Sequence, residues 1–500
     1  MSLIGDTKSM PYDIAEFSST VRAGLDDSLR GRLDPGELAE LIGRTHEDSP
    51  YARPLLNTIH TALLRKSVTE ARVGTTYYGD IDAYSTWDEP AAGDSPCIAG
   101  WPLLTRRDVI DNFHDLLHAG HRVAAISHTS GTTGPSLHVY KGPAELAFVQ
   151  SYYWNMSRPL AEKLTERPLV LSFPNFYHGT GASMPGVGLS LVSGVTDDTL
   201  IQDAAKALTA RYRLPGYSDH VTSVSGLGHH VLFFTSYLLE QGLDLRSIGI
   251  RSVNVTGGYT SPHWRGFLRE SWGAPVFDRF TLTESIGGAT RCLRCDRFHF
   301  DHNLYPEVVD VDTGEPVGEG VGKLVITCLH PFVQMQPLIR YVTGDLVRRT
   351  ANPCGISFTV EFLGRLKNCV REPAGLGPQR RWLLFSCDLN DVLGTLPDVR
   401  IYDWFSNVRV ASDRTVGSLP LHRVSTSVDE RGRTAIDVDI ELKYAPHGYR
   451  ERVLELRRKI TDHLLAAPTA LARATADGTA ALNVRFHAPA ALPGAFEIKI

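Results

Sequence analysis

Residues 127–142 read SHTSGTTGPSLHVYKG, directly after the apolar run RVAAI at 122–126. An apolar stretch that runs into a crowd of hydroxyls and glycines predicts a buried strand opening into a functional loop. Gly131 and Gly134 permit backbone angles that other residues resist, so main-chain N–H groups can turn inward. Thr129, Ser130, Thr132 and Thr133 add side-chain donors. A ring of donors after a strand suits a polyphosphate. No lysine follows Gly134, so this is not a Walker loop. By itself the stretch reads equally as a polar surface turn.

The segments around it set the fold class. PLVLSF at 168–173 is strand-like, and GHHVLFFTSYLLEQGL at 228–243 has apolar residues at helical spacing. IRSVNVTGG at 250–258 reads as a strand entering a glycine turn. SPHWRGFLRESWG at 261–273 has a Ser-Pro helix start and a glycine stop, and APVFDRFTLTE at 274–284 returns to strand. Strands that alternate with helices and end in functional loops predict an α/β fold. A joint falls near FLGRLKNCV at 362–370, before the Gly/Pro/Arg-rich REPAGLGPQRR. It predicts a large domain over 1–366 and a small α+β domain over 367–500, a size that folds independently.

The bulk numbers agree with a large packed protein: 500 residues, 42% hydrophobic and 21% charged. A net charge of −5 leaves no footprint for a nucleic-acid backbone, and ELRRK at 455–459 reads as the wet face of a helix. No apolar run approaches the roughly 20 residues that span a bilayer. The N-terminus has no signal-like pattern and the seven cysteines are thinly spread, which together predict a cytoplasmic protein.

TSGTTG at 129–134 resembles the phosphate loop of the adenylate-forming superfamily: acyl-CoA synthetases, nonribosomal peptide adenylation domains and firefly luciferase. Four further stretches resemble its motifs in the same order: FTLTE at 280–284, RYVTGDL at 340–346, GRLKN at 364–368 and the C-terminal LPGAFEIKI at 492–500. WPLLTRRDVIDNF at 101–113 resembles the entry segment of the phenylacetate–CoA ligase branch.

The resemblance implies ATP-dependent activation of a carboxylic acid as an acyl-adenylate. Residues 129–134 would hold the leaving phosphates, Thr283 the α-phosphate and Glu284 a Mg2+ ion. Phe280 would stack on adenine with Thr281 beside it, and Gly257 and Gly258 would let the backbone come close to the base or the substrate. Asp345 would bind the ribose hydroxyls, and Arg365 would either join it or contact the α-phosphate. Lys499 would be the catalytic lysine, and Lys367 the hinge about which the small domain rotates. Tyr177 and His178 in FPNFYHGTG stand where the family gates its acyl pocket, and QSYYWNMS at 150–157 and GLGHH at 226–230 are further pocket candidates. The aromatics favour an aromatic or heteroaromatic acid.

Cys292, Cys295 and His299 follow one another at metal-ligand spacing, and Cys354 offers a fourth donor. The set suits a closed structural zinc site; the alternative is free buried cysteines that act as small hydrophobes. The expected partners are thus a small-molecule acid, ATP with Mg2+, zinc, and either CoA or a carrier protein acting in trans, with a homodimer also open. Three departures stand out. Pro135 and Ser136 replace the lysine usual after the phosphate loop, Thr281 replaces a glycine, and residues 371–386 do not resemble the loop that lines the pantetheine tunnel. They leave two alternatives: an amide synthetase that passes the acyl group to an amine, and a nucleotide-binding protein without chemistry.

Overall fold

The computed structural model describes residues 34–492 apart from 47–48, 86, 89, 92, 130–135, 175–186, 353, 373–379, 402–419 and 467–468. Ser130, Gly131, Thr132, Thr133, Gly134, Tyr177, His178 and Lys499 therefore lie outside the described residues.

The strands in chain order are β1 (Ala125–His128), β2 (His138–Lys141), β3 (Arg167–Phe173), β4 (Leu189–Val192), β5 (Tyr217–Leu227), β6 (Ser252–Thr256) and β7 (Val276–Thr281). There follow β8 (Gly288–Arg291), β9 (Phe298–Phe300), β10 (Leu304–Val309), β11 (Gly320–Cys328), β12 (Tyr341–Arg349) and β13 (Thr359–Arg365). The last are β14 (Val370–Arg371), β15 (Trp382–Leu384), β16 (His422–Val428), β17 (Thr434–Glu441) and β18 (Ala480–His487). The principal helices are α1 (Pro35–Arg44), α2 (Ala52–Gly74), α3 (Arg106–Asp111), α4 (Pro143–Lys163), α5 (Asp198–Thr209), α6 (Gly228–Glu240) and α7 (Pro262–Trp272), then α8 (Ser386–Leu393), α9 (Arg450–Ala466) and α10 (Ala470–Ala476).

An eleven-stranded sheet organises the α/β fold, in the order β10-β11-β12-β13-β9-β8-β7-β6-β5-β3-β4. From β4 to β7 the strands are parallel, and from β7 to β10 they are antiparallel. Crossover helices explain the parallel half. Helix α7 starts at Ser261, whose hydroxyl accepts from the Trp264 N–H, and stops at Gly273 with φ +64. Trp272, Leu268, Val253 and Val276 pack with the apolar face of α6 in one buried cluster.

The run at 122–126 is not a buried strand. Among the described residues strand β1 pairs only with β2 in a separate hairpin, and Ile126 is 61% exposed. A two-stranded ribbon has one covered face, and here Ser127, Val139 and Lys141 occupy it.

Beyond β13 a separate hydrophobic cluster forms from Val370, Leu384 and Leu389, the inward face of β17 and the buried stripe Val453, Leu456, Ile460 and Leu464 of α9. The Ala-rich stretch after Leu464 supplies α10, which seats Leu471 and Ala474 in that cluster. Residues 457–459 lie on the exposed face of α9, as the charge run predicts. At the joint, Gly364 has φ +114, and a Cβ there would overlap Ser386 Oγ at the start of α8. Glycine thus lets β13 run against the small unit. Among the described residues no helix is long and apolar enough to cross a membrane.

Candidate active site

A cavity of about 1350 Å3 opens where the parallel strands end. The carboxyl ends of β3, β5 and β6 with the residues that follow (172–174, 226–229 and 256–260), and residues 282–287 after β7, all line it. Carboxyl ends of parallel strands are the usual ligand site of such sheets, because the loops there leave backbone polar groups free to face a ligand. The same cavity takes in Arg106, Thr129, Phe280, Thr281, Thr283, Glu284, Asp345, Arg365 and Lys367. The described candidates for the nucleotide site therefore converge on one space.

Glu284 follows β7 directly and is 5% exposed. The Tyr341 hydroxyl donates to its Oε1 at 3.0 Å, and the Arg106 guanidinium lies 3.9 Å from the same oxygen. Burial and this carboxylate push the Tyr341 phenol well above its ordinary range, so it stays a donor. Arg106 Nη2 also donates to Thr129 Oγ1 at 2.8 Å. Thr129 is itself fixed by the Leu137 N–H, which donates to its hydroxyl at 3.0 Å. One guanidinium thus ties the first residue of the phosphate-loop motif to the acidic end of the strand.

On the other side, the register of β12 with β13 places Asp345 opposite Arg365. Their side chains pair at 3.2 Å, and Arg365 Nη1 donates to the Thr343 carbonyl at 2.7 Å. Lys367 lies in the short turn Leu366–Asn368 that follows, on the cavity wall. Phe280 is half-buried and packs on Phe362 with ring centres 4.3 Å apart. Gly257 has φ +82, and a Cβ there would overlap the Leu227 side chain, so the turn after β6 needs glycine. Thr281 hydrogen-bonds through its hydroxyl to Thr256 at 3.1 Å, which ties β7 to β6 where the family motif has glycine.

Cys292, Cys295, His299 and Cys354 come together, with their ligand atoms within 4.8 Å of one another. Cys295 Sγ lies 3.1 Å from His299 Nε2, and Cys292 Sγ 3.8 Å from Cys354 Sγ. The first three come from the β8–β9 hairpin and the fourth from the turn before β13, which Asn352 holds through the Ser357 carbonyl at 2.6 Å. Strands β9 and β13 share only two residue pairs, Thr359↔His299 and Val360↔Phe298. The cluster therefore sits across a short seam of the sheet, and His299 also lines the cavity.

Sequence reasoning missed several residues of this site. Arg106 and Tyr341 stand inside quoted motifs, but only the fold brings them to Glu284. Tyr152, Tyr153 and Met156 of α4 reach the cavity, as do Leu227 and His229, from the two segments proposed for the pocket. Arg279 in APVFDRFTLTE and Asp301 and Asn303 in DHNLYPEVVD at 301–310, a run that resembles the acidic Asp-x-x-x-Tyr-x-Glu stretch of phenylacetate–CoA ligase relatives, line it too, but neither stretch marks them as cavity residues.

No family model matches the chain. A stretch of 131 residues is 56% identical to the phenylacetate-coenzyme A ligase of Thermus thermophilus, taking in 24% of this chain and 29% of that enzyme, less than a third of its length. In shape the chain is similar to 2-hydroxyisobutyryl-CoA ligase. Against its postadenylation complex with 2-HIB-AMP the TM-score is 0.59 at 15% identity, over 90% of this chain and 88% of that one. Against the same ligase with 2-HIB-AMP and CoA in the thioesterification state it is 0.51 at 15% identity, over 90% of both chains. The fold is therefore that of the adenylate-forming ligases, and the resemblance read from the motifs is borne out.

Proposed function

We propose that the chain is an ATP-dependent, AMP-forming acid ligase that activates a small carboxylic acid, aromatic or heteroaromatic, as its adenylate. The observation that carries this is the convergence of Thr129, Thr283, Glu284, Phe280 and the Asp345–Arg365 pair on one cavity at the ends of parallel strands. The carboxylate oxygen attacks the α-phosphorus of ATP, the bond to pyrophosphate breaks, and pyrophosphate leaves with the bonding electrons. Such a transition state asks mainly for positioning and for fixed charge.

Arg106 is a half-buried cation between Thr129 and Glu284, so it supports the polyphosphate where the chain lacks the usual loop lysine. Residues 130–134 add backbone and hydroxyl donors, and Thr283 binds the α-phosphate. Asp345, held by Arg365, accepts from the ribose hydroxyls, and Phe280 with Gly257 and Gly258 walls the base. Glu284 is a carboxylate with hydrogen-bonded support, a donor set suited to Mg2+, which would neutralise phosphate charge when bound. Lys499 arrives on a mobile unit, residues 367–500, that turns about Lys367 relative to residues 1–366. The acyl-adenylate then passes to the thiol of CoA: the sulfur bonds to the carbonyl carbon and AMP leaves.

Three thiols and an imidazole within 4.8 Å fit a structural zinc ion, and the closed donor set gives it no catalytic position. Its place across the β9–β13 seam supports a role in bracing the cavity wall.

The test is ATP–pyrophosphate exchange over aryl, heteroaryl and aliphatic acids, followed by product mass spectrometry with CoA and with amines offered separately. Lys499→Ala should abolish exchange while ATP binding persists. Absence of exchange with every acid, or an unchanged rate in Lys499→Ala, refutes the proposal.

A further inference from the structure

The end of the cavity beside α4 holds an ion pair that the nucleotide chemistry leaves unused. Arg279 of β7 donates through Nη1 to Thr290 Oγ1 at 2.8 Å and to Asp301 Oδ1 at 3.3 Å, and through Nη2 to Asp301 Oδ2. The Gly288 N–H also donates to Asp301 Oδ2 at 2.9 Å, which fixes the carboxylate. The pair is not sealed in: the two side chains keep 36% and 27% of their surface, and both face the cavity.

Next to it, Asn303 is 1% exposed and lines the same cavity. Its Nδ2 donates to the Ile286 carbonyl at 3.0 Å and to the Tyr153 hydroxyl at 3.3 Å, and its Oδ1 has no partner among the described residues. Tyr153 accepts from Asn303, so its own proton is left to donate. Burial, helped by Asp301, pushes that phenol up to about 12, and it stays protonated at neutral pH.

A purely hydrocarbon acid seated here would strip water from the exposed side of the ion pair and leave the Asn303 oxygen unmatched. Neither loss would be returned, because hydrocarbon offers no hydrogen bond. A substituent that both donates and accepts meets each group: its hydrogen goes to Asp301 or Asn303, and its lone pair takes the Tyr153 or Arg279 proton. Resting on the ligase reading above, we propose that the acid carries a hydroxyl or amino substituent away from its carboxylate, and that Asp301, Asn303, Tyr153 and Arg279 read it. The aromatic faces of α4 then set the shape of the acid and this polar group sets its identity.

Pyrophosphate exchange with matched acids tests this: benzoate and phenylacetate, each bare and with a ring hydroxyl or ring amine. The best substituted acid should exceed its bare parent by about tenfold or more in kcat/KM, since a site built around polar groups rejects the analogue that lacks them. Asp301→Asn keeps the acceptor for the Gly288 N–H but removes the charge. It should collapse that preference, read as the ratio of substituted to bare kcat/KM within each variant, and Arg279→Met should do the same. Bare acids exchanging as well as every substituted one, or a preference unchanged in both variants, overturns the proposal. If the variants do not fold, the wild-type comparison decides alone. Exchange with no acid at all refutes the ligase reading itself and is distinct from exchange without preference.

Discussion

Removal of one hydroxyl, Tyr341→Phe, isolates the support of Glu284. The phenol donates to Glu284 Oε1 at 3.0 Å, and both side chains are buried, at 1% and 5% exposure. The Arg106 guanidinium stands 3.9 Å from that oxygen, beyond a good hydrogen bond. A hydrogen bond to a buried charge is worth roughly 1.5–3 kcal/mol. If Glu284 acts on the nucleotide's metal and phosphates, most of that difference reaches the reacting complex. Each 1.36 kcal/mol is tenfold in rate, so kcat/KM for pyrophosphate exchange should fall roughly 10- to 150-fold. Part of the loss should appear as a higher requirement for Mg2+, because the carboxylate is less well oriented.

A matched deletion separates this from general damage. Tyr78 is also fully buried; its hydroxyl donates to the Pro337 carbonyl at 3.1 Å and accepts from the Ile339 N–H at 3.0 Å, and it does not line the cavity. Tyr78→Phe removes the same atom and should lower stability by ~1 kcal/mol or more while exchange stays within about twofold. The assay is initial-rate exchange with Mg2+ titration, alongside urea unfolding of each variant. Exchange in Tyr341→Phe within twofold of wild type refutes the placement of Glu284, as does an equal loss in Tyr78→Phe.

Removal of metal by a strong chelator should release about one zinc per chain, measured by elemental analysis, and lower the melting temperature. Metal free energies in small zinc modules are on the order of 10 kcal/mol. Even a fifth of that at the β9–β13 seam corresponds to about 2–3 °C for a unit of this size, and Cys354→Ala should reproduce the shift. Asp278, 3% exposed, gives a pH signature: burial outweighs the Arg291 guanidinium at 3.3 Å and pushes its carboxyl up to about 6. Its folded-state value lies above the ordinary one, so its stabilising contribution is full below the ordinary carboxylate range and is lost as pH rises through about 6. Urea unfolding of wild type minus Asp278→Asn should therefore lose up to ~3 kcal/mol between pH 4 and pH 6.5; a flat difference contradicts the buried carboxyl.

What the sequence disclosed and what it withheld divide along one physical line. Local grammar marked α7 from its Ser261 cap to Gly273, and the motifs marked Glu284 and Asp345, because capping, turn and motif chemistry is written within a few residues. Sheet register is not. Tyr341 and Glu284 stand 57 residues apart and meet only because β12 and β7 belong to one sheet. Arg365 reaches Asp345 through the β12–β13 register, and Arg279 reaches Asp301 across β7, β8 and β9. Alternation along DRFT shows that adjacent side chains point apart, yet not which neighbours each will find. The same limit misled the reading of RVAAI: apolar content predicted burial, but a strand with a single partner covers one face only. Sequence thus exposes the parts proposed to contact the nucleotide, whose demands repeat from protein to protein. If the Arg279–Asp301 pair reads this protein's own acid, as proposed above, its partners are set by the pairing of distant strands, and the substrate preference is to be sought in that pairing.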